Sequence, residues 1–178
     1  MADGKTHHAI SLIMALSTAA SVKVLGQPAS IMLPIASGML AGILITPDLD
    51  VQNPVHANNV AYRVHWIIGA AWRFIWWPYA RLIPHHRHWL SHLPFVGTLV
   101  RLIYLYVLGY LGMSVTHLIS QSVSVSQLPQ LWRPYAWPEW LIFFVWGLMI
   151  SDFGHWCLDG FPTNLPGNTT KKRNATTE

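Results

Sequence analysis

Charged side chains and cysteine are both scarce in this 178-residue sequence. Lys, Arg, Asp and Glu together make up 10% of the residues, whereas a soluble domain carries about 25%. Hydrophobic residues make up 52%, which leaves too little polar surface for a water-soluble domain. The single cysteine, Cys157, excludes an intrachain disulfide and a thiolate-rich zinc site. The composition indicates a membrane protein.

The distribution of basic and aromatic residues points to a lipid partner. The formal net charge is +4, but the arginines are scattered among apolar residues, so we expect no nucleic-acid partner. The ten tryptophans are typical of a membrane–water interface. The lipid bilayer is the expected partner, and the sequence identifies no protein partner.

Four apolar runs predict the fold class. They are Ala9–Leu25, Pro28–Ile45, Pro94–Met113 and Trp140–Leu158. The last two reach the ~20 residues that a spanning helix needs. The first two are marginal and predict a tight helical hairpin that turns at Gly26-Gln27-Pro28. We therefore predict an all-α integral membrane bundle of about four spans.

The segments between the runs complete the domain organisation. Tyr62–Pro84 is rich in Trp and Arg and predicts an interfacial segment; a packed helix that covers the site is the alternative. Ser114–Gln130 is predicted to be a loop. We expect a membrane-embedded metal-binding domain at residues 1–160 and a flexible polar tail at 161–178.

The positive-inside rule predicts the orientation. With four spans and a cytoplasmic N-terminus, two basic residues face outward, Lys23 and Arg133. Eight face inward: Lys5, Arg63, Arg73, Arg81, Arg87, Lys171, Lys172 and Arg173. We therefore predict cytoplasmic termini and a cytoplasmic site, in a bacterial inner membrane or a thylakoid membrane. The alternative interpretation treats Met1–Ala20 as a signal peptide.

Carboxylates and histidines cluster at the ends of these runs. Asp48 and Asp50 follow Pro47, which disfavours helix at the preceding residue. Asp152, His155 and Asp159 have the spacing i, i+3, i+7, which places them on one helix face. Ionisable groups are unfavourable in hydrocarbon, so their clustering predicts a metal site.

Histidines supply the other candidate ligands. Four of them, His85, His86, His88 and His92, lie within eight residues, and not all four can be ligands. His7 precedes the first run. A mixed set of imidazoles and carboxylates favours zinc, manganese or iron, as one ion or two. The full predicted ligand set is His7, Asp48, Asp50, His86, His92, Asp152, His155 and Asp159.

The ordered motifs resemble a known group of bacterial membrane proteins. The resemblance is carried by Thr6-His7, Pro47-Asp48-Leu49-Asp50, Trp76-Trp77-Pro78-Tyr79, His86-Arg87, Ser91-His92, Gly97-Thr98 and Asp152-x-x-His155-x-x-x-Asp159. The chain resembles a metal-binding membrane protein family of unknown function, frequent in cyanobacteria. It also looks like a relative of the YdjM-type predicted inner-membrane metal-dependent hydrolases. The resemblance covers about residues 4–160 and implies a metal site in a membrane.

The leading functional hypothesis is a metal-dependent hydrolase of a phosphoester or lipid-linked substrate. In it Asp50 acts as the base and Arg87 holds the substrate anion through its planar guanidinium. One alternative is a non-catalytic protein whose helices are held by the metal, or an accessory subunit of a complex. A metal transporter ranks third, because the polar groups lie at the ends of the apolar runs and not at their centres.

Overall fold

The chain folds into helices throughout the part that can be described. The computed structural model describes residues 4–51, 55–84, 86, 88–120 and 138–161, and within these ranges it contains no β-strand. The α-helices are α1 (Gly4–Val24), α2 (Ala29–Ala41), α3 (His56–Val64), α4 (Trp66–Leu82), α5 (Trp89–His92), α6 (Val96–Ser120) and α7 (Glu139–Leu158). A 3-10 helix, Pro47–Asp50, lies between α2 and α3. The predicted all-α class is confirmed.

Helices α1 and α2 form the predicted hairpin. α1 ends at Val24 and α2 begins at Ala29, directly after Pro28. Gly26 has a φ of 64°, which is unfavourable for a residue with a Cβ. The predicted turn at residues 26–28 is confirmed.

Helix α2 packs against α7 with the two backbones in close contact. A Cβ built on Gly147 would lie 2.0 Å from the carbonyl oxygen of Ile35, and one built on Gly38 would lie 2.0 Å from that of Phe144. Any side chain at these positions would force the helices apart. The two glycines therefore fix the position of α7, which carries His155, relative to α2 and the 3-10 helix that follows it.

The Trp-rich segment is two helices with one face packed and the other exposed. Trp76 and Tyr79 of α4 are buried in a cluster with Leu49 of the 3-10 helix. On the opposite side Trp66 and Phe74 are exposed. The buried face packs against the 3-10 helix, as in the packed-helix alternative. The exposed face carries large aromatic side chains, as expected of an interfacial segment.

The predicted loop at Ser114–Gln130 is wrong over its first seven residues, because α6 continues to Ser120. The hydroxyls of Ser114 and Thr116 donate to the carbonyl oxygens of Tyr110 and Gly112, both over 2.9 Å. These hydroxyls bond to the preceding turn, so they remain within the helix instead of ending it. Residues 121–130 lie outside the described part.

Two of the described helices are long and apolar enough to cross a membrane: Val96–Thr116 within α6, and α7. The apolar run Pro28–Ile45 gives a helix of only 13 residues, about 20 Å long at 1.5 Å per residue. A bilayer core is about 30 Å thick, so α2 is too short to span it. By length and composition, two of the described helices could span a membrane, not the four expected from the sequence.

We expect Gly147→Ala to destabilise the protein, because the new methyl group would meet the Ile35 carbonyl in the contact between α2 and α7. Overpacking of this kind costs about 1–3 kcal/mol. The matched control is Gly112→Ala in α6, where an added Cβ would meet no atom of the described residues within 4 Å. Thermal unfolding followed by circular dichroism measures both; a G147A protein as stable as G112A would contradict the packing.

Candidate metal centre

Four elements and one loop residue bring most of the predicted ligands together. α1 supplies His7, the 3-10 helix supplies Asp48 and Asp50, and α5 supplies His92. α7 supplies His155, and Asp159 caps its C-terminus. His86 lies between α4 and α5. Seven of the eight predicted ligands therefore meet in one region, and Asp152 is the exception.

These residues form three groups that share members. Each group offers three ligand atoms that lie within 4.8 Å of one another. The groups are His7–His155–Asp159, Asp48–His92–His155 and Asp50–His86–His92. Because His155 belongs to two groups and His92 to two, the residues form one continuous cluster.

The middle group has the geometry of a cation site. The Nε2 atoms of His92 and His155 lie 3.6 and 3.5 Å from Asp48 Oδ1. Both atoms are buried, and neither has a hydrogen-bond partner among the described residues. Hydrogen bonds from nitrogen to oxygen span about 2.7–3.2 Å, whereas two ligand atoms bound to one tetrahedral zinc lie about 3.4 Å apart, from bond lengths of about 2.1 Å. The distances between these ligand atoms therefore match coordination of one divalent cation better than they match hydrogen bonds.

The α1 side of the cluster extends this group. Nε2 of His7 lies 3.2 Å from Oδ1 of Asp159, and Oδ2 of the same carboxylate lies 3.5 Å from Nε2 of His155. The rings of His7 and His155 stack with centroids 3.7 Å apart. Burial lowers the pKa of His7, so its imidazole is neutral at pH 7 and can act as a ligand.

On the opposite side, Asp50 accepts several hydrogen bonds. Its side chain is 0% exposed. Nδ1 of His86 lies 2.8 Å from Oδ1, and the hydroxyl of Ser91 donates to Oδ2 over 2.7 Å. Nδ1 of His92 lies 3.3 Å from Oδ2. Asp50 therefore joins the loop before α5 to the 3-10 helix.

Both 3-10 carboxylates stay ionised at neutral pH. Burial by itself would raise the pKa of Asp48, but the imidazoles of His155 and His92 outweigh it and hold the pKa well below its usual range. Burial likewise opposes ionisation of Asp50, and His86 and His92 lower its pKa to about 2. The cluster thus combines ionised carboxylates with imidazoles, a donor set that suits a divalent cation. Burial by itself would lower the pKa of His92, but Asp48 and Asp50 raise it, so a bound cation would take the place of a proton on this ring.

Asp152 lies apart from the three groups. Its carboxylate accepts hydrogen bonds from Thr98 and from Arg101, and the Arg101 side chain is 0% exposed. Arg101 also donates to the carbonyl oxygen of Ser91 over 3.0 Å. The i, i+3 spacing to His155 placed Asp152 in the predicted ligand set, but a buried guanidinium on α6 takes the carboxylate instead, because a buried charge requires a partner.

The His-rich stretch before α6 would place its histidines on one face if it were a continuous helix, but its described residues do not form one. Among the described residues of this stretch, Trp89–His92 is helical and the others are not. His88 caps this turn, because its Nδ1 accepts from the Leu90 N–H over 3.3 Å. His88 is therefore occupied by the helix end, while His86 reaches Asp50. His85 and Arg87 lie outside the described residues, so the predicted anion-holding role of Arg87 stays a prediction.

We expect Arg101→Met to destabilise the protein by about 3–5 kcal/mol, because it leaves the buried carboxylate of Asp152 without its cation. The double variant R101M/D152L removes both charges and should recover most of that loss. The control is Arg81→Met, since Arg81 is exposed and lies over the Trp77 ring. Denaturant unfolding measures all three; a single variant as stable as the double would contradict the ion pair.

Comparison with known proteins agrees with this site. Neither a curated protein nor a solved structure matches the chain. One family model, described as an uncharacterized metal-binding protein, matches residues 2–168. The match includes all three groups of candidate ligands, and it extends over nearly the whole sequence. The chain therefore belongs to the DUF2227 family of uncharacterized metal-binding proteins.

Proposed function

We propose that this chain is an integral membrane protein that binds a divalent cation at one membrane face and hydrolyses a phosphoester or lipid-linked substrate there. One observation carries the proposal: two buried imidazole nitrogens, with no hydrogen-bond partner in the described part of the chain, face one carboxylate oxygen at 3.5–3.6 Å. Zinc, manganese and iron suit this mixture of donors. Asp48, His92 and His155 would hold the ion, with Asp159 and His7 beside them.

The relation of the cluster to α6 and α7 supports a location at the membrane face. His92 lies four residues before α6, and His155 and Asp159 lie at the end of α7. If both helices cross the bilayer, the end of α6 that begins the first crossing and the end of α7 that completes the return lie on the same side. Many large apolar side chains on these helices are also exposed, among them Ile103, Tyr110 and Ile142, as expected for lipid contact.

The chain's own groups support hydrolysis. A bound divalent cation would polarise a phosphoryl oxygen and increase the acidity of water. Asp48 is 27% exposed, more than the other carboxylates of the cluster, so substrate would approach on its side. Asp50 is closed to water, and it would act as base through His86, whose side chain is 40% exposed. Arg87 would hold the substrate anion.

The resemblance to the YdjM-type predicted hydrolases and to a family frequent in cyanobacteria agrees with this proposal. In both groups an early Thr-His and a Pro-Asp-x-Asp follow the same order as Thr6-His7 and Pro47-Asp48-Leu49-Asp50 in this chain. A bacterial inner or thylakoid membrane is the corresponding location, with the cluster and both termini in the cytoplasm.

Burial of the ligands favours one alternative, a non-catalytic site that holds the helices together. His7, His92 and His155 are all at least 93% buried, and the cluster joins α1, α5, α7 and the 3-10 helix. A structural ion uses every coordination position for protein ligands, whereas a catalytic ion keeps one for water. Turnover distinguishes the two functions.

We expect the purified protein to contain a transition metal that is lost in Asp48→Asn, because this carboxylate faces the Nε2 atoms of both His92 and His155. Metal content is measured by mass spectrometry after dialysis without chelator. The matched control is Glu139→Gln, which removes an exposed carboxylate at the start of α7. Metal-free wild-type protein would contradict the site.

We also expect the metal-loaded protein to hydrolyse a generic phosphodiester or a phospholipid, and expect D48N to lose this activity while E139Q keeps it. The assay follows phosphate or lipid product, with a chelator-treated sample as a second control. Stoichiometric metal without turnover on these esters would favour the non-catalytic alternative.

The membrane orientation has its own test. The excess of basic residues places the start of α6 in the cytoplasm, and α6 and α7 return the chain to that side. A reporter fused after Glu178 should therefore be cytoplasmic. Cell fractionation should place the fusion in the membrane. A reporter active only outside the cytoplasm, or a fusion recovered in the soluble fraction, would contradict the proposed orientation or location.

A further inference from the structure

The hydroxyl of Ser91 lies among three groups that compete for its single proton. Ser91 Oγ is 2.7 Å from Asp50 Oδ2, 2.9 Å from the carbonyl oxygen of His88 and 3.0 Å from Nδ1 of His92. Ser91 is 1% exposed, so these groups must satisfy one another's hydrogen-bonding capacity without water. The proton arrangement of His92 can therefore be worked out from the hydrogen-bonding capacity of its neighbours.

Two of the three neighbours only accept hydrogen bonds. An ionised carboxylate and a backbone carbonyl carry no proton, whereas a hydroxyl donates one hydrogen bond and accepts others. The carboxylate of Asp50 is the closer and the charged acceptor, and hydrogen bonds to charged acceptors are the stronger ones. The Ser91 proton thus points to Asp50, and a lone pair of Oγ faces Nδ1 of His92.

Nδ1 of His92 must then carry a hydrogen. It would donate to Ser91 Oγ, with Asp50 Oδ2 next nearest at 3.3 Å. The opposite tautomer would set the Nδ1 lone pair against oxygen lone pairs and direct an Nε2–H toward Asp48 at 3.6 Å, too long for a hydrogen bond. In the neutral ring that a cation requires, a hydrogen on Nδ1 leaves the lone pair of Nε2 facing Asp48.

We propose that Ser91 and Asp50 are positioning residues that hold His92 with its hydrogen on Nδ1, so that its Nε2 lone pair is directed at the cation site beside Asp48. The inference rests on the proposed metal-binding function and extends it. Metal-binding histidines commonly donate their second ring N–H to a carboxylate, and loss of that partner weakens metal binding about 10–100-fold. On this account Asp50 acts outside the ligand set, and Asp50, His86 and His92 do not form a second cation site.

Anchoring of Ser91 supports this role. Arg101 donates to the carbonyl oxygen of Ser91 over 3.0 Å, and a Cβ on Gly97 would lie 2.2 Å from the same oxygen. The backbone of Ser91 is thereby held from two directions. A four-residue helix would not by itself fix the direction of the adjacent His92 ring, and this anchoring does so.

Two variants test the proposal against a matched control. Asp50→Asn places an amide N–H₂ group where the carboxylate accepted, so its hydrogens can reverse the His92 tautomer. Ser91→Ala removes the intermediate hydroxyl but leaves Asp50. The control is Ser11→Ala, which removes another buried hydroxyl, bonded to Ser151 over 3.0 Å and belonging to none of the three groups.

The measurements are zinc affinity by competition with a chromophoric chelator and the His92 tautomer by ¹⁵N–¹H correlation NMR of the full-length protein. We expect a hydrogen on Nδ1 of His92 in the wild type, about tenfold weaker zinc binding in S91A and about 100-fold weaker binding in D50N. S11A should match the wild type. The NMR signal of D50N should show a larger Nε2–H population.

Several results would overturn the inference. One is a neutral wild-type His92 whose single ring hydrogen is on Nε2, and another is wild-type zinc affinity in both variants. A second zinc lost selectively in D50N would show that Asp50 is itself a ligand. If wild-type protein binds no zinc or other transition metal, the proposed function fails, and the tautomer measurement still decides the role of Ser91 and Asp50.

Discussion

The close approach of imidazoles and ionised carboxylates in a protein with little charge is the constraint on which the structure depends. Asp48, Asp50 and Asp159 each lie against histidine, and ionised carboxylates are unfavourable inside a protein unless they are paired or bind a metal. The spacing around Asp48 is too long for hydrogen bonds and suits shared coordination. A cation would compensate this charge, and the surrounding helices are arranged so that the ligands reach it.

Helix packing supplies that arrangement with few specialised residues. Gly38 and Gly147 let α2 and α7 approach closely, while Trp76 and Tyr79 hold the 3-10 helix through Leu49. The buried pair of Arg101 and Asp152 joins α6 to α7, and Arg101 also holds the carbonyl of Ser91. His92 therefore directly follows a residue that this ion pair holds, so the geometry of this part of the cluster is coupled to the stability of the fold.

The sequence predicted the helical class and the α1–α2 turn, because apolar runs, proline and glycine act locally. It also predicted seven of the residues that meet in the cluster, because their ionisable groups gather at the ends of apolar runs. It did not predict that α2 would end after 13 residues. It also did not predict that α6 would continue, because Ser114 bonds back to the carbonyl oxygen of Tyr110 and stays within the helix. Asp152 was grouped with His155 from helical spacing, which says nothing about the partner on another helix. The available signal was Arg101, the single charge in its apolar run, which needed an acidic partner. Which atoms around Ser91 and His92 carry hydrogens can be worked out only from interatomic distances, and a sequence pattern does not contain them.

Anomalous X-ray diffraction from crystals of the full-length protein loaded with zinc or manganese would show directly whether the cluster holds a cation. We expect an anomalous peak bounded by Asp48, His92 and His155, with Asp159 and His7 on its far side. Absence of a peak there in metal-loaded crystals, or a peak only at another site, would contradict a cation shared by these residues.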